Sequence, residues 1–448
     1  MAQACLERAP EMFGAVRRER LSHGSRGALL RLATVVLASE QTLGEVVTQQ
    51  PLRKILFTEE LAQARGAQCL DHTPAGYYLR EGDPSKWVIF LEGGGLCLSP
   101  VDCAKRAESR MGSSSYWKDE LGGYMTTSVS SLNPFGLFSQ VHVPYCSGDT
   151  WLGAHARPHL GLMGFQMSGH LILETVLEHL ANETGITSAA SVVLSGTSAG
   201  GIGTFHSADW FGGRLAALSQ ARGHAPPKFV AMPIAGIFFP INFPVLFEVF
   251  ELGVVTPYDG VASNFVDFLE GPFIHPGCVA AAKRKHLDLD WCFDVGFMME
   301  HVETPLFVLS NRFDAMHINM FGLCPPSVCS GNATANSDGG EFVRFYGQKV
   351  NDTVAHLSSK RPSTGFFIPS EFQHDENFGT YFWDEEKAIK GVSLRAAFEV
   401  WHKQMLSAMP AATAFTQPGF VPPLSTVHLV EQLCDAGGPC HPIHGVLV

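Results

Sequence analysis

The sequence predicts an α/β fold, a mostly parallel sheet flanked by helices, and three observations carry that prediction. Apolar runs of strand length recur at Trp87–Leu91, Ser191–Ser195, Pro305–Leu309 and Gly365–Pro369. Helix-like segments such as Leu171–Leu180 and Leu394–Trp401 alternate with them, the order that parallel strands require because each crossover must travel back along the sheet. Composition agrees, since 448 residues, 46% hydrophobic and 17% charged, supply a large core of a size that one α/β domain commonly fills. No internal repeat divides the chain.

Each run delivers a distinctive loop. Trp87-Val88-Ile89-Phe90-Leu91 is a buried-strand pattern that ends in Glu92-Gly93-Gly94-Gly95, where three residues without side chains let bare amides point at one spot. Ser191–Ser195 leads into Gly196-Thr197-Ser198-Ala199-Gly200. A serine on a sharp strand-to-helix turn needs glycine on both sides, since the turn strains the backbone and leaves no room for neighbouring side chains. That pentapeptide is a nucleophile elbow with Ser198 at its tip. Pro305–Leu309 is followed by Ser310-Asn311-Arg312-Phe313-Asp314, and Gly365–Pro369 by Ser370-Glu371-Phe372-Gln373-His374. An acid and a base thus stand just past two late strands.

Those residue types point to ester chemistry. A serine hydroxyl is a poor nucleophile unless a base takes its proton, and the base needs a carboxylate to orient it. The chain order Ser198, Asp314, His374 is the order of an α/β-hydrolase-like triad, with Glu371 and Asp375 as rival carboxylates. The amides of Gly94, Gly95 and Ala199 are assigned to an oxyanion hole, each pre-aimed donor lowering the barrier by about 3 kcal/mol.

The chain resembles the pectin acetylesterase and Notum carboxylesterase family from about Cys69 to Cys440. The anchors are Leu91 to Gly95 with Cys97 and Cys103, Arg110 to Ser114, Pro144 to Trp151, Gly196 to Gly201, Trp291-Cys292-Phe293, Phe313-Asp314, His374, Ile389 to Ser393 with Trp401, and Cys440-His441. The resemblance implies an α/β-hydrolase fold and the same roles for Ser198, Asp314 and His374. It also marks Trp151, Phe238 and Phe293 as pocket walls. The chain departs from its relatives at Ile234-Ala235-Gly236-Ile237-Phe238, where they usually carry Asp-Ser-Gly or Asp-Ala-Gly before an aromatic. The triple glycine is shared with plant pectin acetylesterases, whereas Notum-like members have an aromatic at the place of Gly95 and another near Asp294. A carboxylate facing an acyl tunnel costs several kcal/mol unless paired or protonated, so Asp294 favours a short acyl group, acetyl first. The expected activity is removal of O-acetyl groups from an extracellular or cell-wall polysaccharide. Deacylation of a lipid-modified protein and glycan binding without turnover are the alternatives.

A net charge of -12 argues against nucleic acid, whose binding needs a basic footprint. No dinucleotide or P-loop spacing is present, and no cofactor is expected. Arg17, Arg18, Arg20 and Arg26 precede the apolar Leu29–Ala38, which reads as a secretory signal over residues 1–38 and is too short to span a bilayer. A lead-in at 39–60 and one esterase domain at 61–448 complete the expected organisation. Apart from Cys5, the ten cysteines form an even set whose close spacings suit bridges. The expected pairs are Cys97 with Cys103, Cys324 with Cys329, Cys434 with Cys440 and Cys278 with Cys292, leaving Cys69 with Cys146. The tail set Cys434, Cys440, His441 and His444 has nearly zinc-ligand spacing, but a disulfide-closed tail is preferred and no metal is expected. Asn182, Asn332 and Asn351 are glycosylation acceptors on a secretory route.

Overall fold

The computed structural model describes residues 50–97, 99–239, 265–320, 338–374, 382–383, 388–409 and 428–430, all within one compact unit, Val46–Val448. Residues 1–38, Cys324, Cys329, Asn332, Asp375, Cys434, Cys440, His441 and His444 lie outside the described residues. The strands of the main sheet are β1 Leu52–Leu56, β2 Gly76–Arg80, β3 Asp83–Leu91, β4 Glu120–Leu121, β5 Phe138–Val143, β6 Ser191–Thr197, β7 Lys228–Ile234, β8 Phe307–Leu309, β9 Gly365–Ile368 and β10 His428–Val430. They are ordered β10-β9-β8-β7-β6-β3-β5-β2-β1-β4. From β10 to β5 every neighbouring pair is parallel, and β2, β1 and β4 add an antiparallel edge. The sheet therefore starts at Leu52, inside the stretch expected to be a lead-in.

Six helices matter for the site: α1 Pro100–Ala107, α2 Gly169–Glu183, α3 Ala199–Ala221, α4 Ala315–Met320, α5 Asp338–Lys360 and α6 Leu394–Ala408. The central strands are apolar on both faces because both are covered. Along β3, Trp87, Ile89 and Leu91 pack with Ile172, Leu173 and Val176 of α2 and Phe205 and Phe211 of α3. Val88 and Phe90 face the other way, into a cluster with Phe398, Trp401 and Met405 of α6. This alternation is the two-residue period of a pleated strand. Pro305 and Leu306 fall outside β8, although Pro305 O still accepts from Ala231 N at 3.0 Å. The expected helices run longer than their apolar stripes, and Ser393 caps α6 by accepting from Ala396 N at 3.2 Å.

Parallel pairing gathers the loops after β3, β6, β8 and β9 at one end of the sheet. Leu91 lies opposite Gly196, and Leu309 opposite Phe367, so the glycine loop adjoins the elbow and the acid loop adjoins the histidine loop. Disulfides join Cys69 to Cys146, Cys97 to Cys103 and Cys278 to Cys292, three of the five expected pairs.

Candidate active site

At the end of β6 the chain reverses into α3 within one residue, and Ser198 takes up that reversal at φ 55°, ψ -118°. Such a backbone is strained for a residue with a Cβ. The flanking glycines act through space rather than through positive φ. A Cβ on Gly196 would come within 2.4 Å of Gly200 O, and one on Gly200 within 2.1 Å of Leu91 O. The crossing of β6, α3 and the end of β3 is thus closed to any side chain, and Ser198 stands at its apex with 4% exposure.

His374 Nε2 lies 2.8 Å from Ser198 Oγ, and His374 Nδ1 lies 2.7 Å from Asp314 Oδ2. All three side chains are buried. The acid is held in turn, because its Oδ1 accepts from His317 N at 2.9 Å at the start of α4. Burial pushes the His317 imidazole down to about 3, which keeps it neutral beside the aspartate. Asn311 Nδ2 donates to the carbonyls of Gln373 and His374 at 3.0 and 3.1 Å, and Phe313 bridges Phe372 in strand fashion. Acid loop and histidine loop are therefore laced together along their backbones. Asn311 is a supporting residue that sequence reasoning missed.

The glycine loop lies against the elbow: a Cβ on Gly93 would meet Thr197 O at 2.7 Å and Ser198 Cβ at 2.9 Å. The amides of Gly94, Gly95 and Ala199 donate to no group among the described residues, which is the condition an oxyanion hole must meet. Behind the loop, Glu92 is a buried carboxylate paired with Arg110 and accepting from Tyr145 N at 3.1 Å. Burial pushes its carboxyl up, and Arg110 opposes the rise.

The pocket-wall candidates separate. Trp151 is fully buried and its Nε1 donates to Glu92 O at 2.9 Å, while its Cβ sits where a Cβ on Gly203 would come within 2.5 Å. It braces the glycine loop against α3 and is not a pocket wall. The turn that carries it is organised by the buried Asp149, which accepts from Ser147 Oγ and from the amides of Trp151, Gly153 and Gly169. Phe238 remains beside the hydrogen-bonded line, its ring 6.3 Å from that of His374 and 4.9 Å from that of His317. Phe293 is half-buried against His206, at 5.5 Å, and packs on the same cluster, with Leu152 and Met167, as Ile202 one turn past Ser198.

Asp294 departs from its expected part. Its Oδ1 caps a short helix by accepting from Phe297 N at 3.0 Å, and although burial pushes its carboxyl up, the amide bonds and Lys349 oppose that. The carboxylate is already partnered, so it no longer argues against a long acyl group. Of the glycosylation acceptors, Asn182 is exposed, with its Oδ1 accepting from Arg222 Nη2 at 2.6 Å. Asn351 has only 5% exposure on α5, and a glycan has no room there.

Mostly parallel strand order, a strand-to-helix elbow at Ser198 and a serine–histidine–aspartate line past successive strand ends define an α/β hydrolase. The sequence places it further: a family model described as Pectinacetylesterase matches residues 49–414, and the chain belongs to that family. It is 26% identical over 343 residues to palmitoleoyl-protein carboxylesterase notum1a of Danio rerio, covering 75% of this chain and 63% of that protein. It is 33% identical over 347 residues to notum1 of Xenopus laevis, covering 76% and 66%. Against pectin acetylesterase 5 of Arabidopsis thaliana it is 32% identical over 171 residues, covering 37% and 40%. The match thus spans less than two thirds of each of these relatives. Among solved structures, the Wnt deacylase Notum from Drosophila shares the fold, with a TM-score of 0.66 and 20% identity over 86% of this chain and 97% of that one. No helix among the described residues is long and apolar enough to cross a membrane.

Proposed function

We propose that the protein is a secreted serine carboxylesterase that removes O-acetyl groups from a polysaccharide. The observation that supports this reading is the hydrogen-bonded line from Ser198 through His374 to Asp314. Ser198 Oγ attacks the ester carbonyl while His374 Nε2 takes its proton, and Asp314 holds the Nδ1 proton and stabilises the imidazolium. The amides of Gly94, Gly95 and Ala199 receive the charge that develops on the carbonyl oxygen. His374 then protonates the leaving sugar oxygen, and a water activated by the same imidazole releases acetate from Ser198. Three disulfides fit an oxidising compartment, and together with the apolar stretch at Leu29–Ala38 they support secretion.

A second reading is deacylation of a lipid-modified protein. It is favoured by the relatives that align with three quarters of the chain, which are palmitoleoyl-protein carboxylesterases, and Asp294 no longer stands against it. Hydrolysis of p-nitrophenyl esters from acetate to palmitate separates the two. The acetylesterase reading expects turnover to fall steeply with acyl length, and expects Ser198→Ala to lose about 10⁴-fold or more of kcat. A preference for long chains would select the deacylase. Wild-type rates in the Ser198→Ala variant would remove both.

A further inference from the structure

The segment Glu92–Cys97 is held by its carbonyls. Trp151 Nε1 donates to Glu92 O at 2.9 Å, Arg106 Nη1 to Gly94 O at 2.6 Å, Tyr145 Oη to Gly95 O at 2.9 Å and Arg106 Nη2 to Leu96 O at 3.1 Å. In a planar trans peptide the carbonyl and the following N–H point in opposite directions. The grip of Arg106 on Gly94 O therefore turns the Gly95 amide away from the guanidinium. Such a grip is needed because Gly94 and Gly95 sit at φ 154° and 71°, and an unrestrained glycine run has many other conformations of similar energy.

Arg106 is itself fixed. It stands on α1 three residues beyond Cys103, whose disulfide to Cys97 ties that helix to the far end of the same loop. Its Nε lies 3.5 Å from Asp102 Oδ1, one turn back on α1, and only 18% of its side chain is exposed. A planar fork gripping two carbonyls two residues apart is a task for guanidinium, since an ammonium is a single point of charge.

We propose that Arg106 is the positioning residue of oxyanion stabilisation, aiming the Gly95 amide through the Gly94 and Leu96 carbonyls and placing positive charge behind the loop. This rests on the esterase reading. The test uses Arg106→Lys, Arg106→Met and Arg106→Ala in the full chain. The readouts are steady-state hydrolysis of p-nitrophenyl acetate, inhibition by an alkylboronic acid that adds to the serine as a tetrahedral anion, and Tm. The expected result is a fall in kcat of about ten- to a hundredfold in Lys and Met alike, with KM within about threefold. The boronate Ki should rise in parallel with the loss in kcat/KM, and guanidinium ion should restore part of the Arg106→Ala rate. Unchanged kcat and boronate affinity in variants of an active wild type would overturn this proposal alone. So would a loss that tracks Tm and leaves the boronate series flat. An inactive wild type that ignores the boronate would overturn the esterase reading together with it.

Discussion

Ser198 holds a strained backbone at the tip of the elbow, and the glycines around it show what the surroundings must give up to hold it. On α3 two glycines make a controlled comparison. A Cβ on Gly200 would press on Leu91 O at 2.1 Å, whereas one on Gly213 meets nothing within 4 Å. Gly200→Ala should lower stability by about 1–3 kcal/mol, and Gly213→Ala should raise it by about 0.5–1 kcal/mol through helix propensity. Urea unfolding of both variants checks the pair, and equal shifts would refute the packing argument. The placement of Ser198, Asp314 and His374 at one end of the sheet was legible because each follows an apolar run of strand length bounded by turn residues. Arg106 and Asn311 were not legible, since their partners are backbone carbonyls, which leave no mark in side-chain pattern. Trp151 and Asp294 were misjudged for a related reason: sequence shows which residues are aromatic or acidic, but not which way they turn.

At the scale of elements, the parallel strands β3, β6, β8 and β9 were read from their apolar runs, whereas the parallel β5, β7 and β10 and the antiparallel edge were not. β3 and β6 are buried on both faces and appear as continuous apolar runs, while β4 is two residues long and β1 carries Arg53 and Lys54, so neither produces a distinctive pattern. The bridges divide similarly. Cys69–Cys146 closes a separation of 77 residues and Cys97–Cys103 one of 6. On the chain-entropy account, replacing the first pair by serine should cost about 4 kcal/mol and the second about 2 kcal/mol. Activity should rank the other way, because the short bridge anchors the glycine loop and the helix that carries Arg106. Chemical denaturation alongside kcat for the two double variants measures both orders, and a single common order would refute the division of labour.

Over the whole molecule, buried histidines set the response to acid. Burial pushes His142, His170, His206 and His317 down to about 3, and His402 to about 4. Below the ordinary imidazole value of about 6.5 the unfolded chain takes up protons that the folded chain refuses, so stability falls as pH drops from about 6.5 toward 3. Asp290, raised by burial to about 6, acts with the opposite sign, as do the buried Glu92, Asp149 and Asp294, their contributions being lost as pH rises through the raised values. Burial also pushes His179 and His301 down and adds them to the acid-sensitive side. Calorimetry should therefore show Tm falling steadily from pH 7 to pH 4, and a Tm that holds or rises would contradict the balance. On the esterase reading the fold presents one activated serine, Ser198. Its most direct test is reaction of the full chain with a fluorophosphonate, followed by intact mass and peptide mapping. The expected result is a single adduct on Ser198, absent from Ser198→Ala and formed far more slowly in His374→Ala. No adduct, or an adduct on another residue, would contradict it.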